Sequence, residues 1–202
     1  MFTGIISDVG TIVAREPFGD GARLTIETAY DAASIAIGAS IACAGCCLTV
    51  TTLEALPSGS RFTVDVSSES MDKTTIGTWA VGQAINLERS LKAGDELGGH
   101  LVSGHVDGRA EIVDRADEEG MTTFTFRPPV ELLPLIAHKG SVALDGTSLT
   151  VIEPGTTFSV AMIPHTLAVT TWGDRQKGDR VNIEVDTIAR YVARLVDART
   201  AA

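Results

Sequence analysis

Positive charge is scarce in this sequence and nowhere forms a run. Lysine and arginine together number 16 against 26 aspartates and glutamates, which gives a formal net charge of −10 at pH 7. A surface that binds nucleic acid or an anionic membrane needs clustered basic side chains. We therefore expect no nucleic acid and no membrane among the partners of this protein.

Long apolar runs and aromatic residues are scarce as well. No apolar run approaches the ~18 residues of a membrane span, and residues 1–6 carry no secretory signal, so we expect a soluble, cytoplasmic protein. Aromatic residues make up 5% of the chain, whereas glycines number 20 and β-branched residues are frequent. That mixture favours short strands joined by turns over a helical bundle.

The cysteines are few and lie within one short segment, at positions 43, 46 and 47. A zinc site needs a fourth ligand, and neither a histidine nor another cysteine lies nearby in sequence, so we expect no metal. A disulfide between the adjacent Cys46 and Cys47 would be strained and would need an oxidising compartment. Small buried thiols are the simpler interpretation, and we adopt it for Cys43.

What the sequence does contain is a duplication. Residues 40–50 (SIACAGCCLTV) return as residues 141–151 (SVALDGTSLTV), with six of the eleven positions identical at a spacing of 101. Residues 62–88 match residues 158–184 at a spacing of 96, and the eight identities there include Asn86/Asn182 and Glu88/Glu184. A period this long indicates two duplicated domains, because solenoid repeats are far shorter.

Short β-prone runs, separated by turns that contain glycine, characterise each copy. In the first copy they cover residues 11–13, 23–27, 40–43, 47–52, 61–66 and 84–88, and weaker helical or turn signals occupy residues 71–77 and 167–173. Six strands in about 95 residues predict a closed antiparallel barrel. The predicted fold class is all-β: two similar six-stranded antiparallel Greek-key barrels from an internal duplication, plus a C-terminal α-helix.

The polar, glycine-rich residues 92–99 form the natural hinge between the two copies. We place the first barrel at residues 1–97, the second at 98–187 and an oligomerisation helix at 188–202. In that helix apolar residues recur with helical spacing, and Asp186 is expected to cap its N-terminus. So short a helix must bury its apolar stripe, either on its own barrel or on another copy of the chain. The stripe consists of Ile188, Tyr191, Val192, Leu195 and Val196.

Four motifs, in this order, resemble the signatures of one known family. They are residues 1–5 (MFTGI), 45–51 (GCCLTVT), 98–107 (GGHLVSGHVD) and 145–151 (DGTSLTV). With its length, duplication and C-terminal helix, the chain resembles riboflavin synthase of the α-chain type over essentially its whole length. One departure is Ala44, because the family usually has asparagine before this glycine.

The resemblance implies a dismutation that needs no cofactor. Two molecules of 6,7-dimethyl-8-ribityllumazine react, one donating a four-carbon unit to the other, and give riboflavin and 5-amino-6-(D-ribitylamino)uracil in the last step of riboflavin biosynthesis. The resemblance also implies a homotrimer held by the C-terminal helices. The site is then expected where the first barrel of one subunit meets the second barrel of its neighbour.

A reaction between two identical molecules suits two similar pockets, which hold both substrates and make their encounter intramolecular. Aligning the two copies nominates the substrate-binding residues of each pocket. Those of the first are Gly4, Ile5, Ile6, Cys47, Leu48, Thr49, Val66, Ser67, Ser68, Glu69 and Ser70. Those of the second are Gly104, His105, Val106, Lys139, Ser148, Leu149, Thr150, Ile163, Pro164, His165, Thr166 and Leu167.

Positions at which the copies differ are the candidates for chemistry, because donor and acceptor must do different things. Histidine is the residue type suited to proton transfer near neutral pH, so His105 is predicted to be a base or proton shuttle, although a polar loop residue would look the same. Cys47 and Ser148 occupy one aligned position and are predicted to add or position a nucleophile. Ser40 and Asp186 are expected to give polar support, and His100 and His138 are interpreted as structural.

Two other functions stay open. A non-catalytic relative of the same fold would hold lumazine or flavin as a chromophore, and it would be expected to lose the chemistry of the second pocket. This chain keeps His105, Lys139, Ser148 and Thr150 there, which favours the enzyme. A flavin-dependent oxidoreductase is disfavoured, because no Gly-x-Gly-x-x-Gly follows a predicted strand.

Overall fold

The computed structural model describes residues 1–200, and its first half is a closed barrel of six antiparallel strands. Around the barrel the strands follow the order β1-β2-β5-β4-β3-β6. All six predicted strands of this half are confirmed, and most extend further than predicted. They are β1 (Asp8–Phe18), β2 (Gly21–Thr28), β3 (Ser40–Cys43), β4 (Cys46–Ala55), β5 (Ser60–Val66) and β6 (Ala84–Arg89).

Alternating burial along these strands places the core. In β2 and β5 buried residues alternate regularly with half-buried ones, because successive side chains of a strand point to opposite sides of the sheet. Leu24 and Ile26 on β2, with Phe62 and Val64 on β5, are fully buried in the barrel interior. The charged side chains of these two strands, Arg23, Glu27, Arg61 and Asp65, lie at the half-buried positions on the outside, whereas Thr28 and Ser60 are buried.

The second half repeats this arrangement, which confirms the predicted duplication. Its strands follow the order β10-β9-β12-β7-β8-β11, the same cyclic order as in the first half. They are β7 (Gly108–Glu118), β8 (Met121–Arg127), β9 (Ser141–Leu144), β10 (Thr147–Thr150), β11 (Phe158–Met162) and β12 (Arg180–Val185). Stacked and edge-on rings fill the interior, with the Phe126 and Phe158 centroids 5.4 Å apart.

The two sheets differ at one seam. In the first, β4 runs on to Ala55 and pairs with β5, whereas in the second β10 ends at Thr150 and forms no ladder with β11. Pro154 and Gly155 follow in the second copy, and proline cannot donate to a ladder. In place of the β4-β5 ladder, the second sheet has two backbone hydrogen bonds at this seam, from the Ile152 N–H to the Ser159 carbonyl at 2.8 Å and from the Ser159 N–H to the Glu153 carbonyl at 3.3 Å.

Short helices precede the last strand of each barrel. They are α1 (Ser68–Lys73) and α2 (Pro164–Val169), and each is followed by a 3-10 turn, Thr75–Thr78 or Thr171–Gly173. The α1 helix begins before the predicted residues 71–77 because the Ser67 hydroxyl caps it, accepting from the Ser70 N–H. Two further 3-10 turns, Ala32–Ser34 and Val130–Leu135, were not predicted.

The C-terminal helix α3 (Thr187–Thr200) is present as predicted, and the Asp186 carboxylate caps it by accepting the Ile188 N–H at 2.9 Å. Its polar side is attached to the second barrel through Arg190, which forms an ion pair with Asp107 at 2.9 Å. The apolar stripe points away and remains 53–67% exposed in the single chain. Residues 201–202 of the predicted helical segment lie outside the described residues. None of the helices in residues 1–200 has the length and apolar character needed to cross a membrane.

The two barrels meet along an approximate two-fold axis. Phe2 and Val102 form an isolated antiparallel bridge, in which the Phe2 N–H donates to the Val102 carbonyl at 2.8 Å. Both side chains are buried and pack with Ala42 and Ala143 into a small cluster between the barrels. The segments that lead into β1 and β7 are residues 2–7 and 102–107, the two entry segments. They therefore cross where the barrels meet.

Candidate functional site

Because the entry segments cross, each lies against a hairpin of the other barrel. The hairpins are β3-β4 in the first barrel and β9-β10 in the second. The Cys47 N–H donates to the Gly104 carbonyl, and the Ser148 N–H donates to the Gly4 carbonyl, both at 2.8 Å. This corrects the predicted grouping of Gly4 with Cys47 and of Gly104 with Ser148. Each hairpin is therefore contacted by the entry segment of the other half of the chain.

The first pocket is a cavity of about 440 Å³ on the first barrel. Three walls enclose it: the start of β4, the α1 helix with the residue after it, and the entry segment of the second barrel. Its lining residues are Cys46, Cys47, Leu48, Glu69, Ser70, Lys73, Thr74, Gly104, His105 and Val106.

Glycine is required where the entry segments touch the hairpins. A Cβ atom at Gly104 would lie 2.5 Å from the Cys47 Cβ, and one at Gly4 would lie 2.5 Å from the Ser148 Cβ. Both glycines also have positive φ, 79° and 78°, which side chains rarely adopt. The aligned pairs Gly4/Gly104 and Cys47/Ser148 thus build two equivalent contacts, of which the one between Gly104 and Cys47 lines the first pocket.

The three thiols are free. Cys46 and Cys47 line the cavity, and of these two only Cys47 is partly exposed. Burial raises the pKa of Cys46 to about 12 and that of Cys43 well above its ordinary value. A thiol is nucleophilic as the thiolate, so these two are chemically inert at neutral pH. The buried-thiol interpretation of Cys43 is confirmed, while Cys47 is half-buried in the pocket wall.

Ser148 has a partner that sequence reasoning missed. Its hydroxyl lies 2.7 Å from Nδ1 of His100, which had been interpreted as structural. Burial lowers the pKa of His100 while nearby Asp186 opposes the shift, so the imidazole is neutral at pH 7. A neutral Nδ1 can accept the hydroxyl proton and polarise Ser148. The sequence carries a signal for this contact, because the segment 98–107 contains two histidines, His100 and His105.

His105 lies at the rim of the first pocket and is exposed. Its backbone carbonyl accepts a long hydrogen bond from Arg190 at 3.4 Å, which ties this wall to the start of α3. The aligned residue in the first half, Ile5, is also exposed, so the two entry segments present different chemistry at equivalent places.

Lys139 has a backbone conformation that supports its selection. Its φ is +61°, and its N–H donates to the Val151 carbonyl at 2.9 Å. The aligned residue Gly38 has the same conformation, with φ +86° and a bond to Val50 at 2.8 Å. A lysine in a position that suits glycine is strained, and such strain tends to accumulate at functional sites.

The other nominated residues lie in five places. Ser40 is the cross-strand partner of Thr49, as Ser141 is of Thr150, on β3-β4 and β9-β10. Ser67 and Ser68 are engaged in the cap of α1 and in a bond to Asp20 at 2.8 Å, outside the cavity lining. Three of the nominated residues are buried in the barrels: Leu48, Val66 and Leu149. Five others lie at the start of α2: Ile163, Pro164, His165, Thr166 and Leu167. Gly4, Ile5 and Ile6 form the entry segment beside Ser148, where the Ile6 side chain reaches Gly146.

Comparison with known proteins shows what this architecture is. A family model described as the lumazine binding domain matches residues 3–90 and again residues 103–186. The riboflavin synthase of Brucella abortus is 58% identical over 96% of this chain and 98% of its own length. That of Mycobacterium tuberculosis is 42% identical, covering 97% and 98%, and that of Bacillus subtilis 37% identical, covering 97% and 90%. The crystal structure of LumP complexed with riboflavin superposes with a TM-score of 0.80 at 25% identity, covering 92% of this chain and 99% of LumP.

The crossed entry segments and the repeated barrel define a protein with two lumazine-binding domains in one chain. Within that class the full-length relatives decide the family: the chain belongs to the riboflavin synthase family, and the predicted resemblance is confirmed.

Proposed function

We infer that this protein is an enzyme, a riboflavin synthase, which converts two molecules of 6,7-dimethyl-8-ribityllumazine into riboflavin and 5-amino-6-(D-ribitylamino)uracil. The observation that carries this function is the duplicated contact of a glycine entry segment with a Cys or Ser hairpin in a family of riboflavin synthases. Two like pockets are what a reaction between two like molecules requires, because bound substrates react without a bimolecular encounter.

The proposed chemistry assigns different roles to the two pockets. His105 at the rim of the first pocket removes a proton from the 7-methyl group of one lumazine. Ser148, polarised by neutral His100, and the half-buried Cys47 add or position the nucleophile at carbon 7 of a lumazine. Lys139 contacts substrate, while Ser40 and Asp186 give polar support. Asp186 does so through its effect on His100.

The assembly and the domain limits belong to the proposal as well. The exposed stripe of α3 supports a homotrimer, in which neighbouring copies cover the stripe and close the open side of each pocket against water. We keep the domain limits at residues 1–97, 98–187 and 188–202. The absence of disulfides among three free thiols supports a cytoplasmic location.

The alternative is a non-catalytic protein that holds lumazine or flavin, and one observation favours it: LumP, which binds riboflavin in its crystal structure, shares the fold. However, the chain is 25% identical to LumP and 58% identical to the Brucella abortus riboflavin synthase. The enzyme is therefore the better supported function.

The test is to mix the purified protein with 6,7-dimethyl-8-ribityllumazine, without added cofactor or metal, and to follow the absorbance of riboflavin. Riboflavin at half the amount of lumazine consumed is the expected result. Tight binding of lumazine without turnover would favour the alternative, and neither binding nor turnover would refute both.

His105→Ala is expected to lower turnover by more than about tenfold, because general base catalysis contributes ~10²–10⁴-fold. Steady-state kinetics on the oligomer measure this, with sedimentation to show that the assembly persists. His138→Ala is the matched control, since His138 is exposed and its ring lies against the Ile152 carbonyl, away from the first pocket. Near-normal turnover of His105→Ala would remove His105 from the mechanism.

A further inference from the structure

The repeated residues of the last strands are not explained by contact with a substrate. Asn86 and Glu88 on β6, with Asn182 and Glu184 on β12, are at most 5% exposed. A buried amide or carboxylate destabilises the fold unless it is hydrogen-bonded. The hydrogen-bond partners of these four side chains therefore show why both copies of the chain keep the same asparagine and glutamate.

Asn182 holds two walls of the first pocket, although it belongs to the second barrel. Its Oδ1 accepts the Thr75 N–H at 2.7 Å, directly after the pocket residue Thr74. Its Nδ2 donates to the Ala44 carbonyl at 2.8 Å, in the turn that leads into Cys46 and Cys47. One side chain thus joins the α1 wall to the β4 wall.

Glu184, two residues further along β12, holds the third wall. Its two carboxylate oxygens accept the N–H groups of Ser103 and Gly104 at 2.7 and 2.9 Å. Gly104 is the residue that lies against Cys47. All three walls of the first pocket are therefore bonded to one Asn-x-Glu pair.

The first barrel supplies the same pair to the second pocket. Asn86 accepts the Thr171 N–H at 2.8 Å and donates to the Asp145 carbonyl at 3.0 Å. The Glu88 carboxylate accepts the N–H groups of the entry segment, including that of Gly4 at 2.9 Å. Gly4 lies against Ser148, so these bonds reach the equivalent walls.

We propose that the two Asn-x-Glu pairs are positioning residues, each of which sets the spacing of the three walls of one pocket across the interface between the barrels. This rests on the proposed function, in which the pockets hold lumazine and flavin. The pairs touch no substrate and act through Cys47 and Gly104, or through Ser148 and Gly4.

The dependence is unequal in the two pockets. The Asp145 turn is also held by its own side chain, which bonds to Arg175 at 2.7 Å and to the Asn182 N–H at 2.8 Å. The equivalent residue Ala44 has no such side chain. Loss of Asn182 therefore disturbs the first pocket more than loss of Asn86 disturbs the second.

The test uses the full chain and the matched variants Asn182→Ala and Asn86→Ala, with riboflavin binding measured by its fluorescence. Each is combined with Cys47→Ser, in the first pocket, and with Ser148→Ala, in the second. Coupled residues deviate from additivity, and we expect a deviation of about threefold or more between Asn182 and Cys47, and between Asn86 and Ser148. In the crossed combinations, Asn182 with Ser148 and Asn86 with Cys47, the fold-changes in riboflavin affinity of the two single variants should multiply to within about twofold. Asn182→Ala should also weaken riboflavin binding more than Asn86→Ala does.

The four combinations form double-mutant cycles. If the effects on the free energy of riboflavin binding were additive in all four cycles, the proposal would be overturned, because a purely structural role lowers stability without distinguishing the pockets. Stability in urea is measured in parallel, and Asn182→Ser with Asn86→Ser serve if the alanine variants do not fold. If the serine variants do not fold either, the residues are structural and the proposal fails. A wild-type chain that binds neither lumazine nor riboflavin would instead refute the proposed function.

Discussion

At the scale of single residues, the two barrels differ at their buried hairpin turns. Ala44 and Asp145 occupy the same position, with φ of 44° and 42°, followed by glycine as a two-residue turn of type I′ requires. The Asp145 carboxylate pairs with Arg175, whereas the residue aligned with Arg175 in the first barrel is the buried Trp79. The ion pair of the second barrel is therefore replaced in the first by two buried apolar residues of the same core cluster.

Asp145→Ala is expected to lower the free energy of unfolding by about 3 kcal/mol, because it leaves the charge of Arg175 without its buried partner. Urea denaturation measures the effect. The double variant Asp145→Ala/Arg175→Trp copies the pair of the first barrel and should recover about 1 kcal/mol or more. A loss below about 1 kcal/mol for the single variant would show that the ion pair does not stabilise the turn.

His100 gives the stability a pH dependence of defined sign. Burial holds its pKa below 6.5, so between 6.5 and that lower value the unfolded chain binds more protons than the folded one. The free energy of unfolding should therefore fall as the pH falls below about 6.5. His100→Asn should remove this component in urea denaturation at several pH values, and His138→Asn should retain it. An unchanged slope in His100→Asn would contradict the assignment.

At the scale of elements, α3 has no counterpart after the first barrel. Its polar side bonds to the second barrel through Thr187 and Arg190, at 3.1 and 2.9 Å. Burying the exposed stripe on the same barrel would require these bonds to break, because the two sides of one helix cannot face the barrel together. The stripe is therefore available to another copy of the chain.

If the chain forms the proposed homotrimer, removal of residues 187–202 is expected to dissociate it, because the deletion takes away the whole apolar stripe. Sedimentation of the truncated chain measures this. Leu195→Glu is the finer variant, since it places a charge in the stripe without touching the contacts of Thr187 and Arg190. A truncated chain that still sedimented as a trimer would show that other surfaces hold the assembly.

At the scale of the whole molecule, periodicity and turn chemistry predicted each barrel but not how the barrels meet. The strands, the glycine turns and the cap at Asp186 follow from neighbouring residues, so the sequence predicted them. The contact of Gly4 with Ser148, and that of His100 with the same serine, join residues far apart in the chain. No local pattern encodes which barrel an entry segment crosses, and the predicted pockets were therefore paired within each half.

The same approximate symmetry predicts the behaviour of one half alone. The bonds from Asn182 to Thr75 and Ala44 have equivalents from Asn86 to Thr171 and Asp145. In residues 1–97 the donors and acceptors of the missing half are present on a second copy, so a self-complementary two-fold contact can replace the interface. We expect this fragment to sediment as a dimer, and its Asn86→Ala variant to dimerise at least about tenfold more weakly because both copies lose the amide that joins the pocket walls. A folded monomer would show that the interface depends on residues in which the two halves differ.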